Sequence, residues 1–217
     1  MTKIIYIILL VSTISMAQEW SLKQMRDACT AGNYQECSNV GVQFEKSGNV
    51  LPAFKMYKIA CNANNSSGCY NLGRCYKYGI GTVKNTRYSF EYYTKSCQYN
   101  SPKGCSALAT MYEQGVYVAQ NKTKAFNLHL KSCNLGADTG CAAVAWFYKK
   151  GFGAEQNYVK AVDYYTRACN KSNVYACTGL AGLVRAGLGT QQNEAYANKL
   201  YKFSCQSGFK HACKYIK

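Results

Sequence analysis

Two cysteines eight positions apart bracket the stretch CNLGADTGC, residues 133–141, and the same spacing occurs six times along the chain. The pairs are Cys29/Cys37, Cys61/Cys69, Cys97/Cys105, Cys133/Cys141, Cys169/Cys177 and Cys205/Cys213. Successive pairs begin 32, 36, 36, 36 and 36 residues apart. A fixed period of this length belongs to stacked supersecondary units, none of which can bury its apolar face alone. The fold is therefore read repeat by repeat.

What the cysteines do depends on the compartment. The chain opens MTKIIYIILLVSTISMAQEW, with one lysine, an apolar run from Ile4 to Val11, and small residues Ser15 and Ala17 two apart. This is the pattern of a secretory leader cleaved after Ala17, giving a leader at 1–17 and a mature chain at 18–217. The apolar run is too short to span a bilayer, so no transmembrane span is expected after cleavage. A secreted or periplasmic location follows, and regular cysteines in that setting form a disulfide framework. Thirteen cysteines make six pairs and leave Cys75 over. There is no CxxC motif, and the histidines, His129 and His211, stand far apart, so neither a metal site nor a cofactor is expected.

The formal charge of +16 falls by one when Lys3 leaves with the leader. Such an excess points to an anionic partner. Export argues against nucleic acid.

Aligned on the second cysteine of each pair, Val40, Leu72, Leu108, Val144 and Leu180 follow three residues later. Gly41, Gly73, Ala109, Ala145 and Ala181 come next, and Phe44, Tyr76, Tyr112, Tyr148 and Val184 lie three beyond those. That periodicity predicts one face of a helix A, with a small residue where a neighbour approaches closely. Gly79/Gly81, Gly151/Gly153 and Gly187/Gly189, with Gly115 alone in its repeat, end helix A. The first repeat, reading KSGNVLP here, is four residues short.

Helix B is aligned on the first cysteine of the next pair. Ala53, Ser89, Ala125, Ala161 and Ala197 lie eight residues before it, and Tyr57, Tyr93, His129, Tyr165 and Tyr201 lie four before it. Small and aromatic residues at this spacing predict a packing face, in which His129 is an interface ring in a tyrosine slot. Gly32, Asn64, Asn100, Gly136, Ser172 and Gly208 suit a left-handed turn after helix B. Asn33, Asn65, Ser101 and Asn173 are placed to cap the next helix A, and Pro102 fits its first position. Each cysteine pair then sits at a helix–turn–helix corner, one member on the last turn of B and the other on the first turn of A. All six eight-residue pairs are predicted to close as disulfides across these corners. Cys75, aligned with Met111, Phe147 and Leu183, is expected to be a buried apolar residue. The expected architecture is all-α: a capping helix at 18–31, five helix pairs over about 34–206, and a C-terminal half-repeat at 209–217, in one α/α solenoid with a concave face lined by A helices.

The stretches LGRCYKYGIGTVKN and SFEYYTKSC within residues 72–97, LATMYEQGVYVAQNKTKAFNLHLKSC and VAWFYKKGFGAEQNYVKAVDYYTRAC carry a resemblance. They are similar to Sel1-like repeats, relatives of the tetratricopeptide repeat that build right-handed solenoids. The cysteine spacing further resembles the Helicobacter cysteine-rich protein family of secreted, disulfide-linked Sel1-like solenoids. The resemblance implies two functions. One is capture of proteins or peptides on the concave face, in host or cell-envelope interaction. The other is penicillin binding with weak β-lactamase activity, with a β-lactam as ligand.

A serine β-lactamase needs a serine one helical turn from a lysine, a hydroxyl-bearing SxN element and a KTG element. Ser207-Gly208-Phe209-Lys210 is formally SxxK, and Lys46-Ser47-Gly48 loosely mimics KTG. Their order is reversed, Ser207 belongs to a predicted turn, and no catalytic residue is assigned. By analogy with tetratricopeptide repeats, concave positions fall one, five, eight and nine residues after the second cysteine. They are Tyr70, Arg74, Lys77 and Tyr78; Ser106, Thr110, Glu113 and Gln114; Ala142, Trp146, Lys149 and Lys150; and Thr178, Gly182, Arg185 and Ala186. The aromatic and basic members (Tyr70, Arg74, Lys77, Tyr78, Trp146, Lys149, Lys150 and Arg185) suit an acidic or carboxylate-bearing protein or peptide bound to a monomer.

Overall fold

The computed structural model describes residues 23–216. The leader and the first part of the expected capping helix lie outside the described residues, as does Lys217. The chain forms two compact units, Met1–Tyr99 and Asn100–Lys217.

In the first unit a helical run over residues 23–30 (α1) is followed by α2 (Tyr34–Lys46), α3 (Val50–Asn62), α4 (Ser66–Tyr78) and α5 (Thr86–Gln98). The second holds α6 (Pro102–Gln114), α7 (Lys122–Asn134), α8 (Asp138–Lys150), α9 (Tyr158–Cys169), α10 (Val174–Ala186), α11 (Glu194–Gln206) and the short α12 (Lys210–Cys213). Even-numbered helices from α2 to α10 are A helices and odd-numbered helices from α3 to α11 are B helices. Every described element is helical. Each A helix packs on the B helix after it, and consecutive A helices touch: α2 with α4 in one unit, α6 with α8 and α8 with α10 in the other.

Local chemistry places the corners. Gly32, Asn64, Ser172 and Gly208 take φ of 95°, 62°, 62° and 92°, and the following amide bonds back to a carbonyl of helix B, as Asn65 N–H does to Ala60 O at 3.0 Å. That is the left-handed termination that satisfies a helix's last carbonyls. Asn65, Ser101 and Asn173 accept the amides of Gly68, Gly104 and Ala176 and cap their A helices. Asn33 makes no such bond. The B helices carry a second set of caps that the sequence analysis did not assign: Asn85, Asn121, Asn157 and Asn193 accept from Tyr88, Lys124, Lys160 and Tyr196. Their recurrence every 36 residues was the available signal.

Gly79, Gly115, Gly151 and Gly187 end the A helices with φ near 70°. The second glycine of each pair has a different reason. A Cβ on Gly153, at φ 67°, would run into the Lys122 carbonyl of α7. In the repeat where that glycine is missing, Tyr117 holds the same left-handed conformation at φ 69°, one that L-residues adopt at a cost.

Five corner bridges are Cys29–Cys37, Cys61–Cys69, Cys133–Cys141, Cys169–Cys177 and Cys205–Cys213, with Cα separations of 4.4 to 4.9 Å. Cys97 and Cys105 are likewise disulfide-bonded. Cys75 is free and fully buried. A serine just before the bridge ties the end of a B helix to the start of the A helix it packs on: Ser132 Oγ donates to Pro102 O at 2.8 Å, Ser204 Oγ to Val174 O at 3.1 Å and, in the first unit, Ser96 Oγ to Ser66 O at 2.8 Å.

Candidate functional site

The predicted A-helix positions lie on α4 in the first unit and on α6, α8 and α10 in the second. In the first unit, Tyr70, Arg74, Lys77 and Tyr78 all lie on α4. Tyr70 is half-buried against Tyr93, with ring centroids 5.9 Å apart, and burial raises its pKa. Lys77 Nζ sits 5.2 Å over the Tyr78 ring, which is 62% exposed. Arg74 does not present a free charge. Its Nη2 lies 2.7 Å from Glu45 Oε1, and its Nη1 donates to Asn71 Oδ1 at 3.3 Å. Tyr57, on α3, donates its hydroxyl to the other Glu45 oxygen at 2.8 Å. The patch therefore offers Tyr78 and Lys77 to solvent over a neutralised floor.

The second unit presents a more cationic surface. Trp146, on α8, packs edge-on against Phe147 and Phe152, with centroids 5.4 and 5.2 Å away. One turn later come Lys149, half-buried, and Lys150, exposed. Burial, and then repulsion from Lys150, hold the Lys149 ammonium below the usual lysine pKa. The flanking A helices frame this strip with polar groups of small reach. Ser106 of α6 shares a 2.7 Å hydroxyl contact with Ser132 of α7, and Thr110 bonds back to Ser106 O. Glu113 Oε2 lies 3.7 Å from His129 Nε2, and Gln114 is exposed. On α10, Thr178 bonds back to Val174 O at 2.8 Å. Gly182 lies under the Tyr201 hydroxyl, 3.6 Å from where its Cβ would stand. Small residues Ala142 and Ala186 complete the rows.

Arg185 departs from the expected free cation. Its Nη2 donates to Asn198 Oδ1 at 2.9 Å and to the Tyr215 carbonyl at 2.7 Å, while its Nε lies 3.3 Å from Glu194 Oε1. The guanidinium also covers the Tyr201 ring at 4.5 Å. Arg185 is thus a clasp holding α10, α11 and the residues after α12. The reason was out of reach of the sequence, because its partners come from two segments, α11 and the residues after α12, 9 to 30 residues away.

His129 fills a tyrosine slot on α7, is 5% exposed, and packs against Phe147 at 5.6 Å. The SxxK serine, Ser207, is the C-cap of α11, and its amide bonds to Phe203 O. Lys210 begins α12 on the far side of Gly208, so the two do not share a helix face. In the KTG-like stretch, Ser47 caps α2 and its hydroxyl donates to Gln43 O and Phe44 O at 3.1 Å. Neither serine is placed beside a base. Among the described residues there is no cluster of metal-ligating side chains, and no helix long and apolar enough to cross a membrane.

The family model described as Sel1 repeat matches residues 66–98, 102–136, 139–173 and 174–209. Among solved structures, the chain is similar to a protective antigen present in uropathogenic Escherichia coli strains, with TM-score 0.79 and 23% identity over 88% of this chain. The chain spans 42% of that antigen's length. It is similar to a Sel1 repeat protein from Oxalobacter formigenes, with TM-score 0.78 and 23% identity over 89% of this chain and 87% of that one. It is 31% identical to the Helicobacter pylori cysteine rich protein B over 63% of this chain and 98% of that one, with TM-score 0.49. Comparison with curated proteins gives no match.

Proposed function

The chain belongs to the Sel1 repeat family, and from that premise we propose that it is an extracytoplasmic binding protein whose A-helix surfaces hold an acidic segment of a protein partner. The framework of disulfides supports the compartment, since such bridges persist in oxidising surroundings. Ser207 and Lys210 lie on opposite sides of the Gly208 turn, so the SxxK serine has no lysine on its own helix face, which favours binding over hydrolysis.

The observation that carries this reading is the Trp146–Lys149–Lys150 strip of α8. Two ammonium groups stand side by side, one of them partly desolvated and held below its ordinary pKa by that burial and by its neighbour. An incoming carboxylate would relieve the repulsion, and the indole beside it supplies an anchor of large contact area. Tyr78 and Lys77 of α4 offer the same pairing of exposed ring and cation on the first unit. Arg74 and Arg185 act as positioning residues for their helices and are not contacts in this proposal.

The test is titration of the oxidised protein with an acidic peptide and its amidated, charge-free counterpart, read by calorimetry. Lys149→Gln with Lys150→Gln should weaken the acidic peptide about tenfold or more, as loss of charge-assisted bonds does, and should flatten its salt dependence. Equal binding by wild type and the double variant would reject this surface.

A further inference from the structure

In two repeats a pair of stacked tyrosines fills the groove between the A helix and the B helix after it. Tyr76 of α4 stacks on Tyr92 of α5, centroids 5.5 Å apart and planes 2° from parallel, with Tyr88 5.0 Å away. Tyr148 of α8 stacks on Tyr164 of α9 at 5.8 Å, with Lys160 Nζ 5.3 Å over its ring. The first repeat lacks this stack, as do the two that carry Leu128 and Leu200 in the second tyrosine's place. Alignment on the cysteines puts Phe44 in the place of Tyr76 and Tyr148, Pro52 in the place of Tyr88 and Lys160, and Met56 in the place of Tyr92 and Tyr164. One ring of the stack is missing. A hollow of about 520 Å³ opens there, between α1, α2 and α3, lined by Phe44, Pro52, Met56 and Ile59 with the Cys29 end of its disulfide.

The rim of the hollow is cationic. Arg26, on α1, lies with its guanidinium 4.7 Å over the Phe44 ring, and Lys55 lines the same opening from α3. No carboxylate is among the described lining residues. An apolar hollow of this size with a few convergent polar groups is the usual form of a small-molecule site. We propose that it binds a small aryl carboxylate, a mono- or bicyclic aromatic ring bearing a short acid side chain. The ring takes the place of the absent tyrosine and packs on Phe44 and Met56. The carboxylate accepts hydrogen bonds from Arg26 and Lys55 at the rim. This site lies between A and B helices, apart from the α8 strip, and does not depend on the protein-binding reading.

Indole-3-propionate and its primary amide are the probes, titrated into the oxidised protein by calorimetry. The acid should bind at a single site and the amide about tenfold more weakly, the cost of losing a charge-assisted bond. Met56→Tyr supplies the ring that Tyr92 and Tyr164 provide in two other repeats and should abolish binding. Arg26→Gln with Lys55→Gln alters only the rim, keeps the test decisive if the tyrosine variant misfolds, and should weaken the acid about tenfold or more. Absent binding, equal binding of acid and amide, or affinity untouched by both variants would overturn the proposal. A tripeptide ending in phenylalanine that binds more tightly than the free acid would overturn it in favour of a peptide end. Self-association abolished by Met56→Tyr would overturn it in favour of a second copy of the chain.

Discussion

The Arg74 guanidinium of α4 reaches Glu45 of α2, with Nη2 2.7 Å from Oε1, and so ties two consecutive A helices together through charge. Tyr57 completes the arrangement from α3 by donating to the second carboxylate oxygen. Burial alone would raise the Glu45 pKa, but the hydrogen bonds from Arg74 and Tyr57 and the guanidinium charge outweigh it and hold the carboxyl below its ordinary value of 4.5. A carboxylate with a lowered folded pKa contributes stability that is present above its unfolded pKa and lost as pH falls through the folded one. Glu45→Gln should therefore cost about 1–2 kcal/mol at neutral pH. The gap between variant and wild type should close as pH falls through 4.5 and below. Thermal unfolding followed by circular dichroism at pH 7 and at about pH 3 measures both; a gap independent of pH would exclude this role for the ion pair.

That ion pair also marks the boundary of what the sequence could disclose. Corners, A-helix caps and bridge positions were legible because each is decided within eight residues and repeated on a fixed period. The buried tyrosine slots were legible for the same reason. The roles of Arg74 and Arg185 were not, because Glu45 is 29 residues from Arg74 and the Tyr215 carbonyl is 30 from Arg185. A cation counted as free on one helix was consumed by a neighbour that no local pattern names. Lys149 and Lys150 were legible as cations on the α8 surface, but the burial that holds Lys149 below the usual lysine pKa is a matter of packing. The hollow of the first repeat was half legible: Met56 where two other repeats carry Tyr92 and Tyr164 is visible in the alignment, but the space beside it is a matter of packing.

Gly73 stands where later repeats carry alanine, and the structure gives the reason. A Cβ there would lie 2.6 Å from Cδ1 of Tyr93, a ring that is 2% exposed and cannot swing aside. Gly41 faces Tyr57 in the same way at 2.5 Å. Gly73→Ala gains about 1 kcal/mol of helix propensity, yet overpacking of a filled core costs about 1–3 kcal/mol. A net loss is expected, read as a lower denaturation midpoint in guanidinium with the slope unchanged. A stabilised variant would mean the α4–α5 interface opens more readily than the packing of Tyr93 implies.

The corner bridges close short loops, so each should contribute about 2–3 kcal/mol on the loop-entropy model. Cys169–Cys177 is a suitable place to test this, because its Cα atoms are 4.7 Å apart across a corner already fixed by the Asn173 cap. Replacing both cysteines by alanine should lower stability by about that amount while leaving the helix content in place. Since each repeat touches only its neighbours, the loss should concentrate in α9 and α10. Hydrogen exchange would show faster amides in those two helices, whereas uniform acceleration across the second unit would contradict nearest-neighbour behaviour.

Cys75 is the one cysteine outside the framework, and its surroundings determine its chemistry. It is fully buried, packed in the core with Tyr57 and Leu72, and its burial, reinforced by the nearby Glu45 charge, pushes the thiol pKa up to about 12. Only the thiolate attacks alkylating reagents, and at pH 8 a thiol with that pKa is almost wholly protonated as well as inaccessible. The oxidised native protein should therefore resist iodoacetamide at pH 8, and denaturant without reductant should release one reactive thiol per chain, which mass spectrometry would place at Cys75. Native labelling at a rate near that of a free peptide thiol would mean that α4 opens away from α3 far more often than a 0% exposed residue at its centre allows. Cys75→Ala separates volume from reactivity: it should leave disulfide pairing intact and cost about 1 kcal/mol for the void that remains.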